Sequence, residues 1–463
     1  MNKNILVLLK IYKGDLNPFD ECALECALSY PESKVTVLAM SPLSHLEALE
    51  NLTRLGCDAV LVSDKIYAGS DTIATTKVLV KAIEQLQPDL IFAGRKSVDG
   101  NTAQVPFMVS ELSGYQLINK VISIKGNVVK TRSDKSFEIT EKQLLTFEKF
   151  KLLRSPSMFS KKREVKIIDN SSLGLPLDEV GLKGSPTQVI KSYSNQSDRR
   201  FCQFIDINQL DKVINDSLNK EMVAKEEVIN KVPLIHYVGN LQDVALKYGE
   251  QAEEIKVDDL SVEEIIKLID QASPKVILWE ENEKYKVLAS RVAIRMNIGL
   301  CADCVSFNHV DGKFVITRPA LGGDVIADIV SSSPIAMATI KATSINNEQV
   351  AITVGKGAIQ NIDQIQKFAD KYRAKIYCTR PLADSGLIDY SRQVGLTGIT
   401  IAPKVCITIG TSGAVQHIVG INKSQTIIAM NISKKEKVFD YADYGVVIDS
   451  KDIYWNNIKT REK

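Results

Sequence analysis

One rhythm runs through most of the chain: a strand-length apolar run, a turn of small or polar residues, then an amphipathic stretch of helical period. This alternation constrains the fold more than any other feature. In the first 150 residues, strands are expected at 5–10, 34–40, 59–62 and 90–94. Helices are expected at 19–30, 43–55 and 71–86, and again beyond Gly100. Strands linked by helices predict a parallel sheet covered on both faces, with ligands beyond the carboxyl ends of its strands. From residue 121 to 140 the period shortens to alternating strands, which predicts an antiparallel patch. Residues 173–193, with Gly174, Pro176, Gly181, Gly184 and Pro186, read as an arm or linker. The α/β rhythm resumes near Phe201 and again at Val350, after the polar stretch 344–348.

A chain of 463 residues needs two to four domains. Its 44% hydrophobic and 25% charged residues are ordinary for a globular protein, and a net charge of +2 carries no nucleic-acid signal. No apolar run is long enough to span a bilayer, and the N-terminal run, flowing into folded-looking sequence, does not read as a signal peptide. The eight cysteines are scattered through apolar runs and read as reduced core thiols, so a cytoplasmic location is expected. Cys301-Ala-Asp-Cys304 lacks the second pair or histidine pair that a metal site requires, and no metal is expected.

Two Gly-rich turns invite a nucleotide. Gly355-Lys356-Gly357 follows a strand, but Gln360 stands where the NAD fingerprint needs a third glycine, and Thr379 and Arg380 end the next strand in place of an acid. An NAD-dependent dehydrogenase or a simple nucleotide-binding module is therefore the weaker reading. Within 403–417, the apolar strand 405–409 runs into Gly410-Thr411-Ser412-Gly413 and a first helical turn carrying His417, an arrangement suited to an anionic group, with the hydroxyls placed to cap the helix. A flavin wants hydroxyls and amides for its pyrophosphate and a cation and an imidazole near its ring. Thr379, Arg380, Gln393, Ser412, His417, Asn431 and Asp449 cluster at successive strand ends. No G-x-S-x-G elbow, H-E-x-x-H or Walker A sequence competes, and no catalytic residue is assigned.

Thr379-Arg380-Pro381, Gln393-Val394-Gly395-Leu396-Thr397-Gly398, Pro403-Lys404, the run from Gly410 to His417, Asn431 and Ala442-Asp443-Tyr444-Gly445 together resemble the FAD domain of the electron transfer flavoprotein α subunit. The stretch with Leu288, Arg291, Asp303 and Arg318-Pro319-Ala320-Leu321-Gly322-Gly323 is similar to that subunit's first domain. Lys10, Asn17-Pro18-Phe19-Asp20-Glu21, Gly56-Cys57-Asp58 and the loop from Gly94 to Val105 resemble the β subunit. The resemblance implies β and α fused in one α/β chain of three segments. These are a Rossmann-like β-like nucleotide-binding domain with its arm (1–198), an α-like domain I (199–343) and a parallel-sheet FAD-binding domain II (344–463).

The resemblance also implies a redox carrier without its own small-molecule substrate. FAD would take electrons from a flavin dehydrogenase, plausibly the acyl-CoA dehydrogenase of fatty acid oxidation, and deliver them to a quinone oxidoreductase or iron–sulfur protein. The alternative is an electron-bifurcating form that oxidises NADH. Arg380 would lie against the ring and favour its anionic one-electron-reduced form, and Lys356 would add charge at its edge. Gln393, Val394, Gly395, Thr397 and Gly398 would follow the ring and ribityl chain. Ser412, Gly413, Ala414, Gln416 and His417 would bind ribityl, pyrophosphate and the O2 edge, with His417 as a donor; Thr379, Asn431 and Asp449 complete the set. In the β-like part, Leu8, Asn17, Pro18, Phe19, Asp20, Met40, Gly94, Asp99, Asn101, Thr102, Gln104 and Val105 would line a site for AMP or a second FAD. Lys356, Leu396, Ile399 and Thr411 depart from the family pattern around the ring. Ser155 to Phe159, an apolar tip beside Lys161-Lys162-Arg163, reads as a partner-docking loop or a solvated connection.

Overall fold

The computed structural model describes residues 3–194, 199–220, 229–310, 312–321, 325–341, 349–395 and 398–452. It divides into two compact units. One comprises Met1–Lys191, Asn230–Leu321 and Ala327–Ile340, the other Ser192–Ile229, Gly322–Ile326 and Lys341–Lys463.

The first unit contains two large sheets. Strands β1 (Lys3–Leu9), β2 (Ser33–Met40), β3 (Asp58–Val62), β4 (Leu90–Gly94), β5 (Gln116–Lys125), β6 (Val128–Thr131), β7 (Ser136–Glu138), β8 (Gln143–Phe147) and β9 (Lys166–Ile168) form one sheet. Their spatial order is β9-β3-β2-β1-β4-β8-β5-β6-β7. Helices α1 (Pro18–Leu28), α2 (Leu46–Thr53), α3 (Thr72–Leu86) and α4 (Val105–Ser113) cross between its strands, as the rhythm predicts. Separate apolar clusters collect the two alternating sets of side chains, Ile5, Val7 and Leu9 in one and Leu6 and Leu8 in the other. The patch β5-β6-β7 is antiparallel, as expected. Strand β8 is the surprise: it is buried along its whole length and pairs in parallel with both β4 and β5. Its Gln-Leu-Leu-Thr-Phe has too few apolar residues between charged flanks to stand out as a strand.

The second sheet of this unit is wholly parallel. Strands β10 (Val232–Val238), β11 (Gly249–Glu254), β12 (Val276–Glu280), β13 (Leu300–Cys304) and β14 (Ala336–Ile340) lie in the order β11-β10-β12-β14-β13. The helix Val262–Ala272 begins with a Ser261–Glu264 capping box and is acidic in its first turn.

In the second unit, β15 (Val350–Val354), β16 (Lys375–Cys378), β17 (Val405–Ile409), β18 (Thr426–Asn431) and β19 (Tyr444–Val447) form a parallel sheet in the order β19-β18-β17-β15-β16. A short strand close to Phe201 extends this sheet: Gln203–Phe204 pairs in parallel with Tyr444 and Gly445. The helix Leu210–Asn219 follows it and buries Leu210 and Ile214 beside Val350, Ile352 and Phe368. A one-turn spacing puts both side chains on one helix face, so residues 203–219 complete the core of the C-terminal sheet.

Candidate functional site

In the C-terminal sheet, β15 lies between β16 and β17, so strand order reverses at the β15/β17 boundary and opens a crevice beyond their carboxyl ends. The two glycine turns meet there. Gly355 N–H donates to Ile409 O at 2.8 Å and Gly357 N–H to Gly410 O at 3.1 Å. A Cβ on Gly355 would sit 2.3 Å from Gly410 O, and one on Gly410, at φ +63°, would sit 2.7 Å from Ala358 N. Only glycine permits this backbone approach. Asn431, at the end of β18, fixes the next turn by donating from Nδ2 to Thr411 O at 2.9 Å.

The expected hydroxyl cap is not made. Thr411 Oγ1 lies 2.7 Å from Thr408 Oγ1, and Ala414 occupies the N-cap of helix α5 (Val415–Ile421) without a side-chain bond. Two threonine hydroxyls one turn apart satisfy each other more readily than an open helix end does, so any anion held here would rest on turn amides and Ser412.

Helix α5 packs backbone to backbone on the loop after β16. A Cβ on Gly395, at φ +139°, would lie 2.5 Å from Gln416 O, and a Cβ on Gly420 would lie 2.4 Å from Gly395 N. Gln393 is buried, and Val394 N–H donates to Cys378 O at 2.9 Å. Leu396 and Thr397 lie outside the described residues, as do 344–348, Gly322 and Gly323. Lys341, unmarked by the sequence reading, donates from Nζ to Gly395 O at 2.9 Å and Gly398 O at 2.7 Å. A cation just past the end of an apolar strand was the available signal.

His417 is buried, and burial pushes its pKa down to about 4, so the ring is neutral at physiological pH. Its Nδ1 lies 3.5 Å from Val394 O and its Nε2 3.3 Å from Thr353 Oγ1. A carbonyl only accepts, so Nδ1 carries the hydrogen and Nε2 accepts from the threonine. In this arrangement the expected donor to a ligand has both nitrogens turned on the protein itself. Lys356, Ser412, Ala414 and Gln416 are exposed around the crevice, with Thr379, Arg380 and Gly398 partly so. Arg380 pairs with Asp384 at 3.3 Å, and Asp384 also takes the Tyr390 hydroxyl. Asp449 accepts from Lys451 N–H at 3.1 Å. A cleft of about 270 Å³ lined by Phe204, Lys434 and Val446 to Ile448 lies beside it, with Lys434 Nζ 4.3 Å above the Phe204 ring.

The first sheet has its own switch point, between β1 and β4. Asp20 bridges the two strand ends, its carboxylate accepting Lys10 N–H at 2.7 Å and Gly94 N–H at 3.0 Å. Burial pushes its pKa up to about 7 despite those donors. Asn17 sits at the N-cap of α1 but makes no side-chain cap bond; its Nδ2 donates to Lys96 O at 2.9 Å. The loop after Gly94 is held by Lys10–Asp99 at 2.7 Å, by Lys96–Asn101, and by Arg318 donating to Gly100 O at 2.8 Å. Asn101 and Ala103 take left-handed φ values of 55° and 58°. Gln104 donates to Leu300 O at 3.0 Å. Buried acceptor atoms stay unmatched at Asn17 Oδ1, Asp99 Oδ1 and Gln104 Oε1. Pro18, Phe19, Thr102, Met40 and Val105 are partly exposed beside them, whereas Leu8 is buried.

Comparison with known families matches residues 5–148 and 260–366 to the electron transfer flavoprotein domain. Residues 344–422 match the electron transfer flavoprotein FAD-binding domain. The chain belongs to the electron transfer flavoprotein family. It is 36% identical over 201 residues to the electron transfer flavoprotein subunit beta of Thermoanaerobacterium thermosaccharolyticum, covering 40% of this chain and 77% of that one. It is 26% identical over 225 residues to the subunit alpha of Bacillus subtilis, covering 39% and 69%. The lactate dehydrogenase (NAD(+),ferredoxin) subunit LctC of Acetobacterium woodii is 30% identical over 230 residues, covering 40% of this chain and 55% of that one. Relatives of both subunit types thus match a single chain, which joins a β-like and an α-like part. The crevice between β15 and β17 falls within the FAD-binding match. Among the described residues, no helix is long and apolar enough to cross a membrane, and no group of three His, Cys, Asp or Glu is placed to hold a metal.

Proposed function

We propose that this chain carries electrons on an FAD held at the β15/β17 crevice, taking them from a flavin dehydrogenase and passing them to a quinone oxidoreductase or iron–sulfur protein. The observation that supports this reading is the meeting of the glycine turns at Gly355 and Gly410 at the strand-order switch point, inside the FAD-binding match. FAD supplies one- and two-electron redox chemistry when bound. Arg380 and Lys356 place positive charge on the rim, which favours the reduced, more negative cofactor. Gln393, Val394, Gly395, Thr397 and Gly398 follow the ring and ribityl chain, Ser412 to Gln416 and Thr379 the pyrophosphate side, and Asn431 and Asp449 the adenosine half. The cleft between Phe204 and Ile448 is of a size and character to take a flat apolar group. The neutral, buried His417 acts from behind the wall, fixing Val394 and Thr353.

AMP is the expected occupant of the first sheet's crevice. Unmatched acceptors at Asn17, Asp99 and Gln104 suit the amine and hydroxyl donors of an adenosine. A second FAD and bifurcation from NADH is the reading that the similarity to LctC favours. Met158 and Phe159, 91% and 92% exposed beside Lys161, Lys162 and Arg163, are proposed to meet the partner, an acyl-CoA dehydrogenase in this reading, and the setting is proposed to be cytoplasmic.

The visible spectrum of purified protein with its released nucleotides quantified tests all of this. One FAD and one AMP per chain are expected. Two FADs with NADH-dependent bleaching would establish the bifurcating form, and a colourless protein would sink both.

A further inference from the structure

We propose that Lys341 is a positioning residue of the flavin site, clamping the loop at Gly395 and Gly398 through its ammonium group; the flavin part of this inference rests on the function proposed above. Two main-chain carbonyl oxygens, three residues apart, converge on Nζ at 2.9 and 2.7 Å. Carbonyl dipoles aimed at one point repel each other, and an ammonium placed between them offsets that repulsion with two charge-assisted bonds. The same loop turns on itself, with Gly395 N–H donating to Ile399 O at 3.1 Å and Ile399 N–H to Gln393 O at 2.7 Å. Its other face is pressed on α5, where Gly420 leaves no room for a side chain. The clamp therefore sets one side of the loop and the helix the other.

The place of Lys341 in the chain gives the clamp a second consequence. Thr339 and Ile340 are fixed inside the five-stranded sheet of the first unit: Asp303 N–H donates to Thr339 Oγ1 at 3.0 Å and Glu281 N–H to Ile340 O at 2.9 Å. The next residue, Lys341, belongs to the second unit and spends its side chain on the flavin loop. One of the points at which the chain passes from the first unit to the second is thus also the support of that loop.

Hydrogen exchange on the full chain as purified reads the clamp directly. Lys341→Met, which removes both charge-assisted bonds, is expected to speed exchange of the Gly395, Gly398 and Ile399 amides by at least about tenfold. Lys341→Arg, which keeps the charge, is expected to hold exchange near the wild-type rate, and Lys341→Gln replaces Met where the Met variant does not fold. The FAD midpoint potential is expected to fall in Met or Gln and recover in Arg. Unchanged exchange in a folded Met or Gln variant would overturn the clamp. Faster exchange with an unchanged potential would overturn its link to the flavin. A wild-type chain without FAD would instead defeat the proposed function, leaving the exchange result to stand.

Discussion

His417 illustrates how far a residue can be read from sequence and where that reading stops. Its position one turn beyond a glycine-rich strand end marked it as part of a ligand wall. The direction of its ring could not be read, because Thr353 reaches it from β15 and Val394 from the loop after β16. A pH dependence follows. The unfolded chain takes a proton near pH 6.5, while burial holds the folded ring neutral down to about 4. Stability from this group is complete above pH 6.5 and is lost as pH falls toward 4, by roughly 3 kcal/mol. Urea unfolding of wild type and His417→Gln across pH 4 to 7 checks it: the variant should lack that part of the acid slope, and parallel curves would contradict the assignment. Arg380 gives a second residue-scale outcome. Removing its charge from the rim with Arg380→Ala should lower the FAD midpoint potential, and an unchanged value would mean the ring lies elsewhere. Lys341 escaped notice for the same reason that the His417 ring did, since its partners are more than fifty residues away.

At the scale of elements, the rhythm of apolar runs located most strands, and the two crevices follow from strand order, which no local pattern contains. Order alone does not decide whether such a place is open, as the middle sheet shows among the described residues. Its order reverses between β10 and β12, but there Glu280 accepts Asn240 N–H at 3.0 Å, and a Cβ on Gly239 would collide with Glu280 and Tyr285. The strand ends close on each other. The short β8 was missed because its burial comes from neighbours on both sides, and β11, a mostly exposed edge strand, because Gly-Glu-Gln-Ala-Glu-Glu has the composition of a loop. Helix α5 supplies a test whose sign is informative. By helix propensity alone, Gly420→Ala should stabilise by about 0.5–1 kcal/mol. Because the new methyl would meet Gly395 N at 2.4 Å, we expect a loss of about 1–3 kcal/mol instead. Thermal melting with and without added FAD reads the outcome, and a rise in melting temperature would show that the helix and loop are not in contact.

For the whole molecule, the sequence suggested consecutive segments, and the contacts instead interleave them. The C-terminal sheet takes its edge strand and the helix Leu210–Asn219 from residues that precede every strand of the second sheet. A fragment beginning at Lys341 is expected to aggregate, because Val350, Ile352 and Phe368 lose the cover of Leu210 and Ile214. Joining residues 199–219 to that fragment through a flexible linker should restore a soluble, cooperatively melting protein. Equal behaviour of the two fragments would mean this cover is dispensable. The interleaving also has a history in time. During synthesis, Phe204 leaves the ribosome long before its partner Gly445; at about 5–20 residues per second the wait is roughly 10–50 seconds. Throughout that interval the apolar stripe of Leu210 and Ile214 has no sheet to cover. The nascent chain must therefore shelter it, and slower translation of the last hundred residues would lengthen the period in which a chaperone can capture it.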